Sequence, residues 1–183
     1  RSAIQVAKAA SFPRENIERA IKKSADKSMG MFEEIRYEGF GPAGTSIIVE
    51  ALTDNRNRSA ADVRAIFQKN GGNFAESGSV SHQFTRYGFL RYPISICTQD
   101  EFFASAIESG AEDCLFEDDF FEALCSTDNL SIFYSSLETI FGEPESSGFL
   151  WKPSNLIEVT GEEIKTLFNL LDELDDNEDV QTV

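Results

Sequence analysis

The sequence is short of the residues that usually carry chemistry. It holds one histidine, His82, and three cysteines, Cys97, Cys114 and Cys125, too few and scattered for a disulfide framework or zinc knuckle. Reduced cysteines in apolar surroundings are the expectation, which suits a reducing compartment such as the cytoplasm, or the mitochondrial matrix in a eukaryote. No GxGxxG, P-loop, HExxH, CxxC or GxSxG motif occurs. No apolar run approaches the roughly 20 residues that span a bilayer, and no secretory signal opens the chain. These absences argue against an enzyme and against a membrane protein. They leave no catalytic residue, metal ligand, cofactor or small-molecule substrate to assign.

Cations are scarce in one half only. Residues 1–91 carry 14 Lys+Arg against 10 Asp+Glu, whereas residues 92–183 carry 2 against 22. The acidic half repels phosphate, so any nucleic acid is expected on the N-terminal half.

What is present is enough for a packed core: 41% hydrophobic residues, 16 of the 183 being Phe. A chain that opens on Arg1 rather than Met implies an upstream segment. RSAIQVAKAA reads as the end of one helix, and SFPRENIERAIKKS as a second. Pro13 suits its first turn, and Lys22 and Lys23 complement the dipole at its end. Arg14, Arg19, Lys22 and Lys23 lie off the apolar face formed by Ile17, Ala20 and Ile21.

Thr45 to Leu52 reads as a buried strand, entered through Gly41-Pro42-Ala43-Gly44. A helix follows, with Ser59 and Asp62 as its capping-box-like start, Val63, Ile66 and Phe67 inward, and Gly71-Gly72 as its stop. Two strands come next, NFAESGSVSHQFT and YGFLRYPI. From Thr98 the order is helix, strand, strand, helix, strand. NLIEV is then read as a strand, a helix turns Ile164, Leu167, Phe168 and Leu171 inward, and a final strand closes the chain.

The class expected is α+β: a helical-bundle remnant, then two α+β domains of the split βαβ, ferredoxin-like kind, the first discontinuous. The boundaries expected are 1–27 for the helical remnant, 28–93 plus 154–183 for the discontinuous domain, and 94–153 for an acidic insert.

Several residues attract a functional reading and lose it. His82 shares an expected strand face with Val80 and Phe84, which favours aromatic packing over catalysis. Glu117-Asp118-Asp119 reads as a solvated turn rather than a cation site. Trp151, between Leu150 and Lys152, reads as a core or interdomain residue rather than a base-stacking one.

TDNRNRSAADVR keeps its reading. Arg56 and Arg58 are placed in the loop ahead of a helix N-terminus, where guanidinium forks and free N–H groups both suit phosphate. The competing reading has Asp54 and Asn55 holding these arginines to brace the turn. A divided cluster is expected, with one arginine bracing and another facing a polyanion.

The stretches NIERAIKK, EEIRYEGFGPAG, VEALTDNRNRSAADVRAIFQKNGGN and GSVSHQF resemble the YebC family. The closing KPSNLIEV and LLDELDDNEDVQTV are similar to that family's end. The resemblance implies three domains and a basic N-terminal segment upstream of Arg1. Family members are described as probable transcriptional regulators that bind DNA. Others are described as ribosome-associated translation factors that relieve stalling, or as mitochondrial translational activators. Residues 97–150 depart most from the family pattern. The partners implied are DNA or rRNA on the ribosome, and an acidic protein–protein adaptor is the third reading.

Overall fold

The computed structural model describes residues 32–117 and 119–183. The expected N-terminal helices, with segment 1–27 and Arg14, Arg19, Lys22 and Lys23, lie outside the described residues, as does Asp118. The chain is α+β and divides into two compact units. Unit one runs up to Val80 and resumes over Val159–Val183, while unit two is Ser81–Glu158.

In unit one, β1 (Glu33–Phe40), β2 (Ser46–Thr53), β3 (Asn73–Ala75) and β8 (Val180–Thr182) form an antiparallel sheet of order β3-β1-β2-β8. Helices α1 (Arg56–Lys69) and α4 (Glu162–Asp175) supply the other layer. Alternation along β2 turns Ile47, Val49 and Ala51 inward. There they meet Val63 and Phe67 of α1, Leu170 and Leu174 of α4, and Val180.

The GGN sequence after α1 now has a physical reason. Gly71 takes φ +70°, and the Gly72 N–H reaches back to Phe67 O at 2.8 Å, a Schellman-type stop. A Cβ on Gly72 would lie 2.8 Å from Phe40 O, and one on Gly39 would lie 2.5 Å from the Phe67 ring. Both glycines are the room Phe67 occupies.

Unit two contains β4 (Phe84–Pro93), α2 (Gln99–Glu108), β5 (Asp113–Phe116), β6 (Phe120–Ser126), α3 (Leu130–Phe141) and β7 (Ser146–Pro153). Its antiparallel sheet has the order β5-β6-β4-β7. With its β-α-β-β-α-β chain order, this is the split βαβ plait. α2 starts at a full capping box between Thr98 and Glu101. The hydrogen bonds Thr98 donates hold the Glu101 carboxyl below the usual range. Phe102 stacks on Phe121 at 4.7 Å and on Phe141 at 5.6 Å, with Tyr92 tilted against Phe102 and edge-on to Phe141, both at 5.8 Å. Burial pushes the Tyr92 phenol up to about 12.

Several expectations change. Glu33–Phe40 is a strand that the sequence reading did not assign. The strand YGFLRYPI, expected in the first domain, belongs to Phe84–Pro93, a central strand of the second sheet. The units accordingly meet at 80/81 and 158/159 rather than at 93/94 and 153/154. NFAESGSVSHQFT is not one strand: Asn73–Ala75 pairs in the first sheet, Phe84 and Thr85 open β4 in the second, and His82 sits exposed between them in a 3-10 turn, Ser81–Gln83. Val80 is fully buried in unit one, where its N–H donates to Glu38 Oε2 at 2.8 Å. NLIEV forms no strand. On α4 the inward face is Leu167, Leu170, Leu171 and Leu174, leaving Ile164 and Phe168 exposed.

Candidate nucleic-acid interface

The stretch TDNRNRSAADVR caps its helix earlier than Ser59. Asn55 Oδ1 accepts from the Arg58 N–H at 3.1 Å, so Asn55 is the N-cap and α1 begins at Arg56. Ser59, the expected cap, is buried one turn inside the helix. Arg56 and Arg58 therefore occupy the first helical turn rather than a loop. Two residues apart on a helix, they face different ways.

Arg58 is the bracing arginine. Its Nη2 donates to Asp179 Oδ1 and Oδ2 at 3.0 and 3.1 Å, and to Asp54 Oδ1 at 3.0 Å. Thr53 Oγ1 donates to Asp179 Oδ2 at 3.0 Å and accepts from the Asn55 N–H at 3.0 Å. The Leu52 N–H donates to Asp179 O at 2.7 Å. These bonds tie the strand-to-helix turn to the segment that leads into β8. The Asp179 contact, above all, raises the Arg58 pKa further.

Arg56 faces elsewhere. Its carbonyl accepts from Tyr37 Oη at 3.3 Å, and its exposed side chain lines a groove of about 350 Å³. Arg64, two turns along the same helix face, lines that groove, and so does Arg36 of β1. The Arg64 guanidinium lies over the Phe74 ring at 4.9 Å, a cation–π contact. Phe74 in turn leans on Tyr37 at 5.7 Å and meets Phe67 edge-on at 6.3 Å. Arg36 Nε lies 3.3 Å from Glu38 Oε1, so that buried carboxylate has a nearby cation. Arg64 was seen in the sequence only as a helix-interior member of the arginine cluster, and Arg36 was not singled out; neither was among the expected binding residues. Alternation in EEIRYEGF, with Ile35 and Tyr37 inward, was the signal that could have turned Arg36 outward.

The cations of unit two are engaged differently. Arg91 lies over Phe89 at 5.0 Å and Phe120 at 4.7 Å, and its Nε donates to Glu122 Oε2 at 2.6 Å. Arg86 lies over Phe149 at 5.0 Å and Trp151 at 5.6 Å, which gives that tryptophan a packing partner. Lys152 donates to Asp113 and holds its carboxyl below the usual range.

Burial raises all three thiols, Cys125 to about 11. Among the described residues, no group of three His, Cys, Asp or Glu side chains could hold a metal ion. No helix among them is long and apolar enough to cross a membrane.

A two-unit α+β chain with an arginine-lined groove has known relatives. Residues 32–183 match the family model described as the TACO1/YebC second and third domain. The whole chain aligns at 46% identity with 75% of a probable transcriptional regulatory protein of Maricaulis maris. Among solved structures, a conserved hypothetical protein of Aquifex aeolicus superposes with a TM-score of 0.85 at 37% identity, over 98% of this chain and 75% of that one. The chain belongs to the TACO1/YebC family.

Proposed function

We propose that this protein is a non-enzymatic regulator of gene expression that works by binding nucleic acid, DNA first, in the cytoplasm. The observation that carries the reading is the convergence of Arg36, Arg56 and Arg64 on one groove of a chain with net charge -16. A net charge of that sign opposes association with a polyanion, so a local gathering of guanidinium groups is what a phosphate contact requires. The printed name of the Maricaulis maris relative supports a transcriptional role. Binding to rRNA would use the same groove and is the alternative target.

The test uses the full chain. Nucleic acid co-purified from cells is sequenced, and binding to the recovered DNA or RNA is then titrated against salt. Arg56→Gln is expected to weaken binding and to flatten the log K versus log salt slope by the share of one phosphate contact, about 0.7–0.9. A chain that shows no salt-dependent affinity for DNA or RNA overturns the reading.

A further inference from the structure

We infer that the groove between α1 and the outer edge of β1 takes a single nucleic-acid strand, with a base stacked against the Arg64–Phe74 pair and phosphates at Arg56 and Arg36. This rests on the nucleic-acid reading above and specifies the form of its ligand.

Three observations meet here. First, β3 pairs with β1 only at Glu38, Gly39 and Phe40, whereas β2 pairs along the whole strand. Among the described residues, the outer edge of Glu33–Tyr37 has no strand partner, so its backbone groups can bond a guest in the groove. Second, the groove combines cations with aromatic surface. Single strands are held by a positively charged track beside aromatic side chains on which bases stack. A guanidinium laid over a ring extends that flat surface, and RNA-binding proteins stack bases on such planes. Third, the size is right. At about 350 Å³ the groove is far smaller than a duplex and suits about one or two nucleotides.

Duplex reading asks for something α1 does not offer. A recognition helix projects its side chains from an exposed convex face into the major groove. On α1 the groove-facing row is Arg56, Ala60 and Arg64, while the outward positions include Asp62 and a Lys69 already bonded to Glu173 at 2.7 Å. The arginines lie exposed along the walls of a groove rather than on the outward face of the helix. An acidic peptide could pair with the same open edge; Glu33 and Glu34 oppose either polyanion, but only a nucleic acid brings a base to stack on the Arg64–Phe74 plane.

The experiment measures fluorescence anisotropy with a labelled single-stranded oligonucleotide, the same sequence as a duplex, and an oligoglutamate peptide. Tighter binding of the single strand is expected. Arg56→Gln should lower the single-strand salt slope by about 0.7, the share of one phosphate contact. Arg64→Lys, which keeps the charge and loses the plane, and Phe74→Leu, which keeps an apolar side chain, should each weaken it roughly 5- to 100-fold. Thermal unfolding of each variant verifies the fold, and Arg64→Lys leaves the core untouched.

Duplex binding that equals or exceeds single-strand binding and survives every variant removes the groove from the account, with the nucleic-acid reading intact. Oligoglutamate that displaces the single strand at comparable concentration replaces it with a peptide site. A chain that binds neither form of nucleic acid overturns both readings.

Discussion

Among the described residues, unit one and unit two use the same layers, a four-stranded antiparallel sheet and two helices, and route the chain through them differently. Unit two is one uninterrupted segment with an aromatic core built from Tyr92, Phe102, Phe121 and Phe141. Unit one is split by that segment, and its core is largely aliphatic around Phe67. The difference extends to charge. Unit two covers Arg86 and Arg91 with rings and ties Lys152 to Asp113, whereas unit one gathers three arginines on one groove. The cations of unit two are taken up in packing and pairing, whereas Arg36, Arg56 and Arg64 of unit one line an open groove.

The sharpest way to break the comparison is through the aromatic stack. Phe102→Ala removes a fully buried ring between Phe121 and Phe141 and is expected to destabilise unit two by about 3–5 kcal/mol. Chemical denaturation should then show an early transition, while nucleic-acid binding is retained at low denaturant. Simultaneous loss of binding would show that the two units are energetically one.

A smaller effect separates bracing from binding within unit one. Asp179→Ala leaves the buried Thr53 hydroxyl without its acceptor and should cost about 1–3 kcal/mol. Hydrogen exchange should accelerate at the Leu52 amide and through β8. Arg58→Gln should lower the melting temperature slightly, because its side chain is 49% exposed and its ion pairs are screened. Neither change should alter affinity per folded molecule, in contrast to Arg56→Gln.

The smallest expected effect is a pH dependence in unit two. The Lys152 hydrogen bond holds Asp113 below its unfolded value of about 3.9. A depressed carboxylate contributes stability that is present above the unfolded value and lost as pH falls through the folded one. The melting temperature of wild type should therefore fall more than that of Asp113→Asn as pH drops below about 4.

Unit two was the more legible in the sequence because it is one uninterrupted segment whose elements each carry their own period and turn residues. Helices and strands from Thr98 to Pro153 fall where period and turn residues put them. Unit one hid its routing. The alternation of Val80, His82 and Phe84 imitates a strand, but Val80 plugs unit one and the chain turns at Ser81. Nothing local says that Phe84–Pro93 pairs with residues 120–126 and 146–153. On α4 two apolar stripes compete, and only packing selects Leu170 and Leu174 over Ile164 and Phe168. At the site, a divided cluster was expected and Asp54 was named as a bracing partner, but the cap was placed at Ser59, so Arg56 and Arg58 were both read as loop residues facing an anion. Asp179 was not named as a partner, because it stands 121 residues from Arg58.

The split of unit one also sets an order in time. Thr53, at the end of β2, and Asp179, which bonds it, are separated by 126 residues. At about 5–20 residues per second, roughly 6–25 s of synthesis pass between them. Throughout that interval the edge of β2 that β8 will cover is bare, while the whole of the inserted unit emerges and can complete its own core. A long closure of this kind is slow to reward, since its contacts form only after the intervening chain is in place. In each newly made molecule, the sheet that begins first is closed after the one that interrupts it.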